Sequence, residues 1–295
     1  VVTYTRQFFR PINQLSNLLT LFQSAIAGAE RVFEILDEEN ENVNEHGKEK
    51  ARFDGEVTFE NIQFEYVKGK PILRGIHFTA RAGEMVAIVG PTGSGKTTII
   101  QLLTRFYDTT GGRILLDGEP ITNYKMTNVR DHVGVVLQDT YLFSGTVREN
   151  IRFGKLDATD EEVEQAAKVA YAHNFIKYLP QQYETMLTSG GMNLSQGQRQ
   201  LIAIARAILE DPDILILDEA TSSVDTMTEV HIQKGLNNLM KGRTSFVIAH
   251  RLKTIENADT ILVLKDGQIL ESGNHDLLMK KGGFYATLQN NLAME

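Results

Sequence analysis

Apolar residues between positions 1 and 36 recur at intervals of three and four. This spacing predicts one apolar stripe along a helix, formed by Leu15, Leu18, Phe22, Ile26, Ala29, Phe33 and Leu36. Pro11 is expected in the first turn of this helix or at a kink. The helix either packs on its own domain or arrives from a neighbouring segment. Because the chain starts on Val1 in mid-pattern, we expect it to be a piece of a longer protein.

The next segment, residues 37 to 54, is polar, charged and without period, which predicts a linker or solvated loop. Alternation of apolar and polar positions then begins. The run "EVTFENIQFEY" predicts a strand, a turn and a second strand, and "GIHFTARAGEMVAIVG" continues the β pattern.

Short apolar runs alternate with helical stretches in the rest of the chain. The runs are "MVAIVG", "ILILD", "TSFVIAH" and "TILVLKDG", and the predicted helices cover 97–106, 160–178, 198–210 and 228–240. Strands that are apolar on both faces and separated by helices indicate an α/β domain with a largely parallel core. The early alternating strands predict an additional antiparallel β portion.

Composition narrows the choice of function. The chain has 295 residues, 42% of them hydrophobic, which is enough for a core in one large domain or two smaller ones. It has no Cys, so disulfides and thiolate metal sites are excluded. The net charge of −8 argues against broad nucleic-acid binding. Uninterrupted apolar runs are too short for a membrane span.

The run "GPTGSGKTT" predicts a phosphate-binding loop. It matches G-x-x-x-x-G-K-[ST] in full and lies between an apolar strand and a helix. Glycines allow backbone amides to turn toward phosphate oxygens, and the helix N-terminus adds its positive end. Lys96 should reach the β- and γ-phosphates of a nucleotide, and the Thr97 hydroxyl should bind Mg²⁺. The candidate nucleotide-binding residues are Gly90, Pro91, Thr92, Gly93, Ser94, Gly95, Lys96, Thr97 and Thr98.

Two adjacent carboxylates end the apolar run "ILILDE". Asp218 is placed to bind Mg²⁺, directly or through water. Glu219 is a candidate general base for an attacking water. The alternative is that the pair only caps the next element.

Gln138 and His250 follow two other predicted strands. Parallel strands deliver their carboxyl ends to one edge of the sheet, where a nucleotide would lie. His250 could therefore contact the γ-phosphate or hold the water, and Gln138 could contact Mg²⁺ or water. A structural role for His250 and a turn role for Gln138 remain open.

The run "LSQGQRQLIAIARAIL" predicts the start of a helix. Ser195 is a good N-cap, Gly197 keeps the backbone approachable, and Gln198 can hydrogen-bond from the first turn. Such a helix start attracts anions. Because the chain already has a phosphate loop, a second anion site makes most sense if it faces the γ-phosphate held by another subunit.

Together these runs resemble the nucleotide-binding domain of an ATP-binding cassette (ABC) transporter of the multidrug-exporter type, over residues 55 to 290. The matching motifs are "GPTGSGKTT" (Walker A), "LQDTYLFSGTVRENI", "LSQGQ" (signature), "ILILDEA" (Walker B), "TSSVD" (D-loop) and "IAHR". The resemblance implies a P-loop NTPase core, an antiparallel β subdomain, an α-helical signature subdomain and an N-terminal helical extension. It also implies Mg²⁺-dependent ATP hydrolysis at the cytoplasmic face of the cell membrane.

The resemblance assigns further roles by position. Tyr66 would stack on adenine, and Asp225 would lie at the interface with a second subunit. The residues that would contact the partner's ATP are Leu194, Ser195, Gln196, Gly197, Gln198 and Asp225. Residues 1–36 would be the cytosolic end of the last transmembrane helix, 37–54 a linker and 55–295 the nucleotide-binding domain, so the chain's own transmembrane domain is an implied partner.

Two positions depart from the family pattern. Gln196 replaces the first Gly of the usual L-S-G-G-Q, and Ser189 stands where exporters usually have Glu. Either Gln196 points aside and the site works, or this signature serves an impaired site. The second alternative favours a heterodimer of two half-transporters over a homodimer. Two rival functions are a soluble ABC ATPase acting on DNA or ribosomes, and an ATP sensor without turnover.

Overall fold

The computed structural model describes residues 2–41, 46–219 and 224–292, which divide into two units, 1–43 and 44–295. The first unit is one helix, α1 (Val2–Leu36), and none of its side chains is buried. Pro11 lies inside this helix and not in its first turn, so that alternative is wrong, and the alternative of a kink at Pro11 stays a prediction. No helix among the described residues has the length and the apolar character needed to span a bilayer.

The second unit contains all the strands that the structure describes. They are β1 (Val57–Val67), β2 (Lys70–Ala80), β3 (Met85–Val89), β4 (Gly111–Leu116), β5 (Glu119–Pro120), β6 (Val133–Val136), β7 (Gly145–Thr146), β8 (Met186–Leu187), β9 (Ile214–Asp218), β10 (Thr244–Ile248), β11 (Thr260–Lys265) and β12 (Gln268–Gly273). Its α-helices are α2 (Lys96–Leu103), α3 (Met126–Asp131), α4 (Val147–Arg152), α5 (Asp160–Val169), α6 (His173–Ile176), α7 (Gln196–Glu210), α8 (Thr226–Met240), α9 (Leu252–Glu256), α10 (His275–Lys281) and α11 (Phe284–Leu292).

A six-stranded sheet forms the centre of this unit, in the order β12-β11-β3-β10-β9-β6. All neighbouring pairs are parallel except β11 with β12. Ile248 of β10 lies between Ile88 of β3 and Asp218 of β9. The carboxyl ends of these strands therefore reach one edge of the sheet, and the predicted α/β class with a mainly parallel core is confirmed.

Both faces of the central sheet are buried, which explains the continuous apolar runs. On β9, Leu215 and Leu217 belong to a core shared with α4, α5, α7 and α8. Ile214 and Ile216 point the other way, into a core shared with α2 and an antiparallel sheet. That second sheet has the order β2-β1-β4-β5.

The turn predicted within residues 56–66 is wrong. β1 is a single strand, and its pairing with β2 and β4 is irregular near Asn61, which has a φ of 47°. Asn tolerates this left-handed conformation, so the strand can absorb the irregularity without reversing direction.

The helix predicted over 160–178 is divided into α5 and α6. A capping box at Thr159 and Glu162 starts α5, and Tyr171, with a φ of 63°, separates the two helices. The helices predicted at 97–106, 198–210 and 228–240 correspond to α2, α7 and α8 with small differences at their ends.

Residues 46–56, here called the strap, pack on the body of the unit. Phe53 is buried, and its amide donates to Asp213 over 2.9 Å. The amides of residues 54, 55 and 56 all donate to the carboxylate of Asp117. Most residues of this part of the predicted linker are exposed, but Phe53 and these backbone hydrogen bonds hold it against the body of the unit. Its polar sequence did not show the packing because the acceptors lie far along the chain.

Candidate functional site

The phosphate loop runs from the end of β3 to the start of α2. Gly95 is the N-cap of α2 with a φ of 105°, and no side chain caps the helix. An N-terminus of this kind leaves its first amides available to an anion. Gly90 has a φ of 155°, and a Cβ there would approach the Leu264 carbonyl oxygen to 2.3 Å. Glycine is therefore required at Gly90 for packing as well as for loop shape.

Two polar side chains of the phosphate loop, those of Ser94 and Lys96, differ in their hydrogen bonding. The Lys96 ammonium donates to the carbonyl oxygens of Gly90 (2.7 Å) and Pro91 (2.9 Å). Burial lowers the pKa of Lys96, and the nearby Asp218 carboxylate opposes that shift. The Ser94 hydroxyl is buried and has no hydrogen-bond partner among the described residues. The loop thus holds one cation and one buried hydroxyl that has no partner in the described part of the chain.

Asp218 and His250 meet at the carboxyl edge of the central sheet. The Nε2 atom of His250 is 3.9 Å from Oδ1 of Asp218. Burial raises the pKa of Asp218, the charges of His250 and Lys96 oppose the shift, and Asp139 adds to it. Asp139 is a neighbour that the sequence interpretation did not single out. The contact of His250 with Asp218 and the pairing of β9 and β10 beside β3 place these residues next to the strand that leads into the phosphate loop.

Gln138 lies two residues beyond the end of β6. In that sheet Val136 is paired with Leu217, directly before Asp218. Gln138 is half-buried. Its position beside the strand that carries Asp218 agrees with the expectation that both residues belong to one edge.

Glu219 is directed toward the turn between β10 and α9. Its Oε2 accepts hydrogen bonds from the amides of His250 (2.8 Å) and Arg251 (2.9 Å), and its Oε1 accepts one from the Thr254 hydroxyl (2.6 Å). The residue is 7% exposed. The adjacent carboxylates of Asp218 and Glu219 therefore have separate surroundings.

Tyr66 lies near the carboxyl end of β1, beside α2. Its hydroxyl is 2.9 Å from the Thr98 hydroxyl and also bonds the Gln101 amide oxygen. The ring is 44% exposed and makes edge-to-face contacts with Phe64 and Tyr107. Tyr107 is thus a second half-exposed aromatic residue beside Tyr66. No motif in the sequence indicated that it would lie there.

The "LSQGQ" segment begins α7, as predicted. Ser195 is the N-cap, and its hydroxyl and the Gln198 side chain form a reciprocal capping box. Leu194 is buried and Gln196 half-buried. Gly197 faces the start of α8, where an added Cβ would come within 2.5 Å of Thr228 in the helix and 2.8 Å of Val224 just before it. Close packing of the two helices therefore requires Gly197.

Asp225 is the N-cap of α8 and is exposed. It accepts from the Thr228 amide over 3.0 Å, and hydrogen bonds from Thr228 lower its pKa. The preceding D-loop residues Thr221, Ser222 and Ser223 lie outside the described residues. Ser189 precedes the "LSQGQ" segment. Its hydroxyl oxygen is 3.1 Å from the hydroxyl oxygen of Tyr141, which lies three residues after Gln138.

The donor set at the sheet edge fits Mg²⁺ carried by a nucleotide. Asp218, Thr97 and Gln138 offer hard oxygen ligands, which Mg²⁺ prefers. Among the described residues there is no cluster of three or more His, Asp or Glu side chains that could hold a metal alone.

Comparison with known proteins agrees with this geometry. The family described as "ABC transporter" matches residues 73–222, half of the chain. The chain belongs to the ABC transporter family. Members of this family bind ATP and hydrolyse it to power transport, so the predicted family, fold and ATPase class are confirmed.

Relatives of this ABC protein cover nearly all of the chain. It is 54% identical over 286 residues to an uncharacterized ABC transporter ATP-binding protein of Bacillus subtilis, matching 97% of this chain and 47% of that protein. A fatty acid ABC transporter ATP-binding/permease protein of Mycobacterium tuberculosis is 48% identical, over 96% of this chain and 45% of that protein. The chain spans about half the length of these curated relatives.

A solved structure supports the same fold. A bacterial Atm1-family ABC exporter with ATP bound matches with a TM-score of 0.81 and 39% sequence identity. The match covers 99% of this chain and 51% of the exporter chain.

Proposed function

We propose that this chain is the ATP-hydrolysing part of an exporter-type ABC half-transporter that works at the cytoplasmic face of a cell membrane. The observation that carries the proposal is the meeting of Asp218 and His250 beside an uncapped phosphate-loop helix. Half-length matches to an ATP-binding/permease protein and to an exporter support the view that a membrane domain is attached. Residues 1–36 would then be the cytosolic end of its last helix, 37–54 the connection and 55–295 the nucleotide-binding domain.

The phosphate loop would bind and orient the triphosphate. The amides that begin α2 and the Lys96 ammonium would stabilise the negative charge that develops on the transferred phosphoryl group. Tyr66 would hold the adenine ring. Thr97, Asp218 and Gln138 would hold Mg²⁺, which neutralises charge on the phosphate oxygens. Most of the rate gain would then be positional and electrostatic.

Glu219 would accept the proton of the attacking water. The water oxygen bonds to the γ-phosphorus, and the bond from that phosphorus to the bridging oxygen breaks, so ADP leaves with the electron pair. His250 and Gln138 would orient the γ-phosphate and the water. These groups follow neighbouring strands of one sheet, so their relative positions are set by strand pairing.

A second chain would complete the site. The start of α7, including Leu194, Ser195, Gln196, Gly197 and Gln198, would face the ATP held by a partner, with Asp225 nearby. The Ser195 hydroxyl accepts a hydrogen bond from the Gln198 amide, and its own hydrogen remains available for donation. Because Gln196 adds a side chain where the family has glycine, we favour a heterodimer over a homodimer.

Phosphate release by the complete transporter in lipid vesicles tests the proposed function. We expect Lys96→Ala and Glu219→Gln each to lower turnover at least about 100-fold, and chelation of Mg²⁺ to abolish it. Lys281→Ala and Glu161→Gln, which alter exposed side chains elsewhere, serve as matched controls. Full turnover in either test variant would exclude its assigned role, and turnover without Mg²⁺ would exclude the metal assignment.

A further inference from the structure

The Glu219 carboxylate is held by one short segment, residues 249–254, which comprises the turn after β10 and the first residues of α9. Among the described residues, its three hydrogen-bond donors are the amides of His250 and Arg251 and the hydroxyl of Thr254. The Thr254 bond, at 2.6 Å, has the length typical of a hydroxyl that donates to a charged carboxylate. The side chain is only 6% exposed, so these protein donors, rather than bulk water, determine how the carboxylate is oriented.

The two carboxylate oxygens are used unequally. Oε2 accepts two amides, which fills its two lone-pair positions. Within the part of the chain that the structure describes, Oε1 accepts the Thr254 hydroxyl alone, because the Nε atom of Arg251 lies 3.8 Å away, beyond hydrogen-bond distance. One of the two lone-pair positions of Oε1 therefore remains unused. Since the Thr254 hydroxyl occupies the other, Thr254 determines the direction in which the unused position points.

The turn itself is anchored. Arg251 donates to the Glu229 carboxylate over 2.6 Å, and this ties the turn to α8. The Glu219 amide donates to the carbonyl oxygen of Ile248, the last residue of β10, over 3.1 Å. Thr254 can therefore act on Glu219 from a fixed position.

We propose that Thr254 is a positioning residue for ATP hydrolysis: its hydroxyl orients the Glu219 carboxylate so that Oε1 presents its free acceptor position to the attacking water. The inference rests on the proposed role of Glu219 as the general base. Thr254 does not touch the nucleotide and acts only through Glu219.

Replacement of the hydroxyl by a methyl group tests this role. In the complete transporter in lipid vesicles, we expect Thr254→Val to lower kcat about 10- to 100-fold, as for loss of a hydrogen bond to a charged group. The KM for ATP should change by less than about twofold, since Thr254 acts on chemistry and not on binding. Thr254→Ser keeps the donor and should restore most of kcat, and Thr254→Ala, a smaller replacement, should behave like Thr254→Val.

A second pair of variants separates positioning from a general structural effect. In a Glu219→Gln background, Thr254→Val should not lower the residual turnover further, because the group on which it acts has lost its function. The proposal is overturned if Thr254→Val leaves kcat unchanged or raises it, if the Ser variant is as slow as the Val variant, or if the two losses multiply. Should Glu219→Gln itself retain full turnover, the general-base assignment fails instead, so the two failures are distinguishable.

Discussion

Gly197 is required for helix packing, although its place in the signature motif first suggested a role in ligand binding. The sequence suggested that this glycine keeps the helix start approachable. In the structure its missing side chain also makes room for α8, with Thr228 and Val224 directly opposite. Both neighbours lie about 30 residues further along, so local sequence could not reveal them.

We expect Gly197→Ala to lower the free energy of unfolding by about 1 to 3 kcal/mol, because the new methyl group forces α7 and α8 apart. Urea unfolding followed by circular dichroism measures the effect. Gly28→Ala is a matched control, since its methyl group would have no neighbour within 4 Å in α1. Unchanged stability of the Gly197 variant would contradict the packing explanation.

Glu219 is a second residue whose surroundings the sequence could not predict. Its place after an apolar strand predicted a carboxylate near the nucleotide. Its donors come from a turn more than 30 residues later, and Thr254 carries no motif of its own that would distinguish it. Glu219 follows β9 and the segment with its donors follows β10, so the pairing of these strands brings Glu219 and Thr254 together.

At the scale of elements, the strap (residues 46–56) is attached to the rest of its unit by hydrogen bonds to the Asp117 carboxylate. Burial alone would raise the pKa of Asp117, but hydrogen bonds from Lys50 and from the amides of residues 54 to 56 lower it overall. A carboxylate with a lowered pKa in the folded state stabilises the fold above its ordinary value of 3.8, and this contribution is lost as the pH falls through the folded-state pKa.

We expect Asp117→Asn to cost about 1 to 3 kcal/mol of unfolding free energy at pH 7, since Lys50 and the amides of residues 54 to 56 lose a charged acceptor. The difference from the wild-type chain should stay constant from pH 7 to 5 and shrink below about pH 4. Urea titrations at these pH values measure it. Asp266→Asn is a matched control, because Asp266 has the same positive φ before a glycine and is exposed. A difference that grows with acidity would contradict the assignment.

Elements with a clear apolar pattern were predictable, and those determined by distant polar contacts were not. β3, β9, β10 and β11 are buried on both faces, so their apolar runs showed them directly. The irregularity at Asn61, the break at Tyr171 and the packing of the strap depend on backbone conformation or on far partners. Sequence periodicity contains neither kind of information.

For the whole molecule, our proposal pairs each phosphate loop with the signature helix of a second chain, and the preference for a heterodimer rests on Gln196. A glycine at this position would leave room for a partner's γ-phosphate, whereas a Gln side chain must move aside. In the structure Gln196 is half-buried at the first position of α7, next to the capping box of Ser195. Its side chain is therefore close to where the partner's phosphate would approach.

We expect the Glu219→Gln variant of this chain to remain a monomer with Mg²⁺ and ATP in sedimentation experiments over a range of concentrations, because under the heterodimer proposal its own signature would not clamp a second γ-phosphate. Adding Gln196→Gly should produce an ATP-dependent dimer, and adding Lys96→Ala to that variant should abolish it. A dimer with Gln196 intact would favour the homodimer. If the Gln196→Gly variant also stays monomeric, the altered signature is not what prevents pairing, and the preference for a heterodimer loses its physical basis.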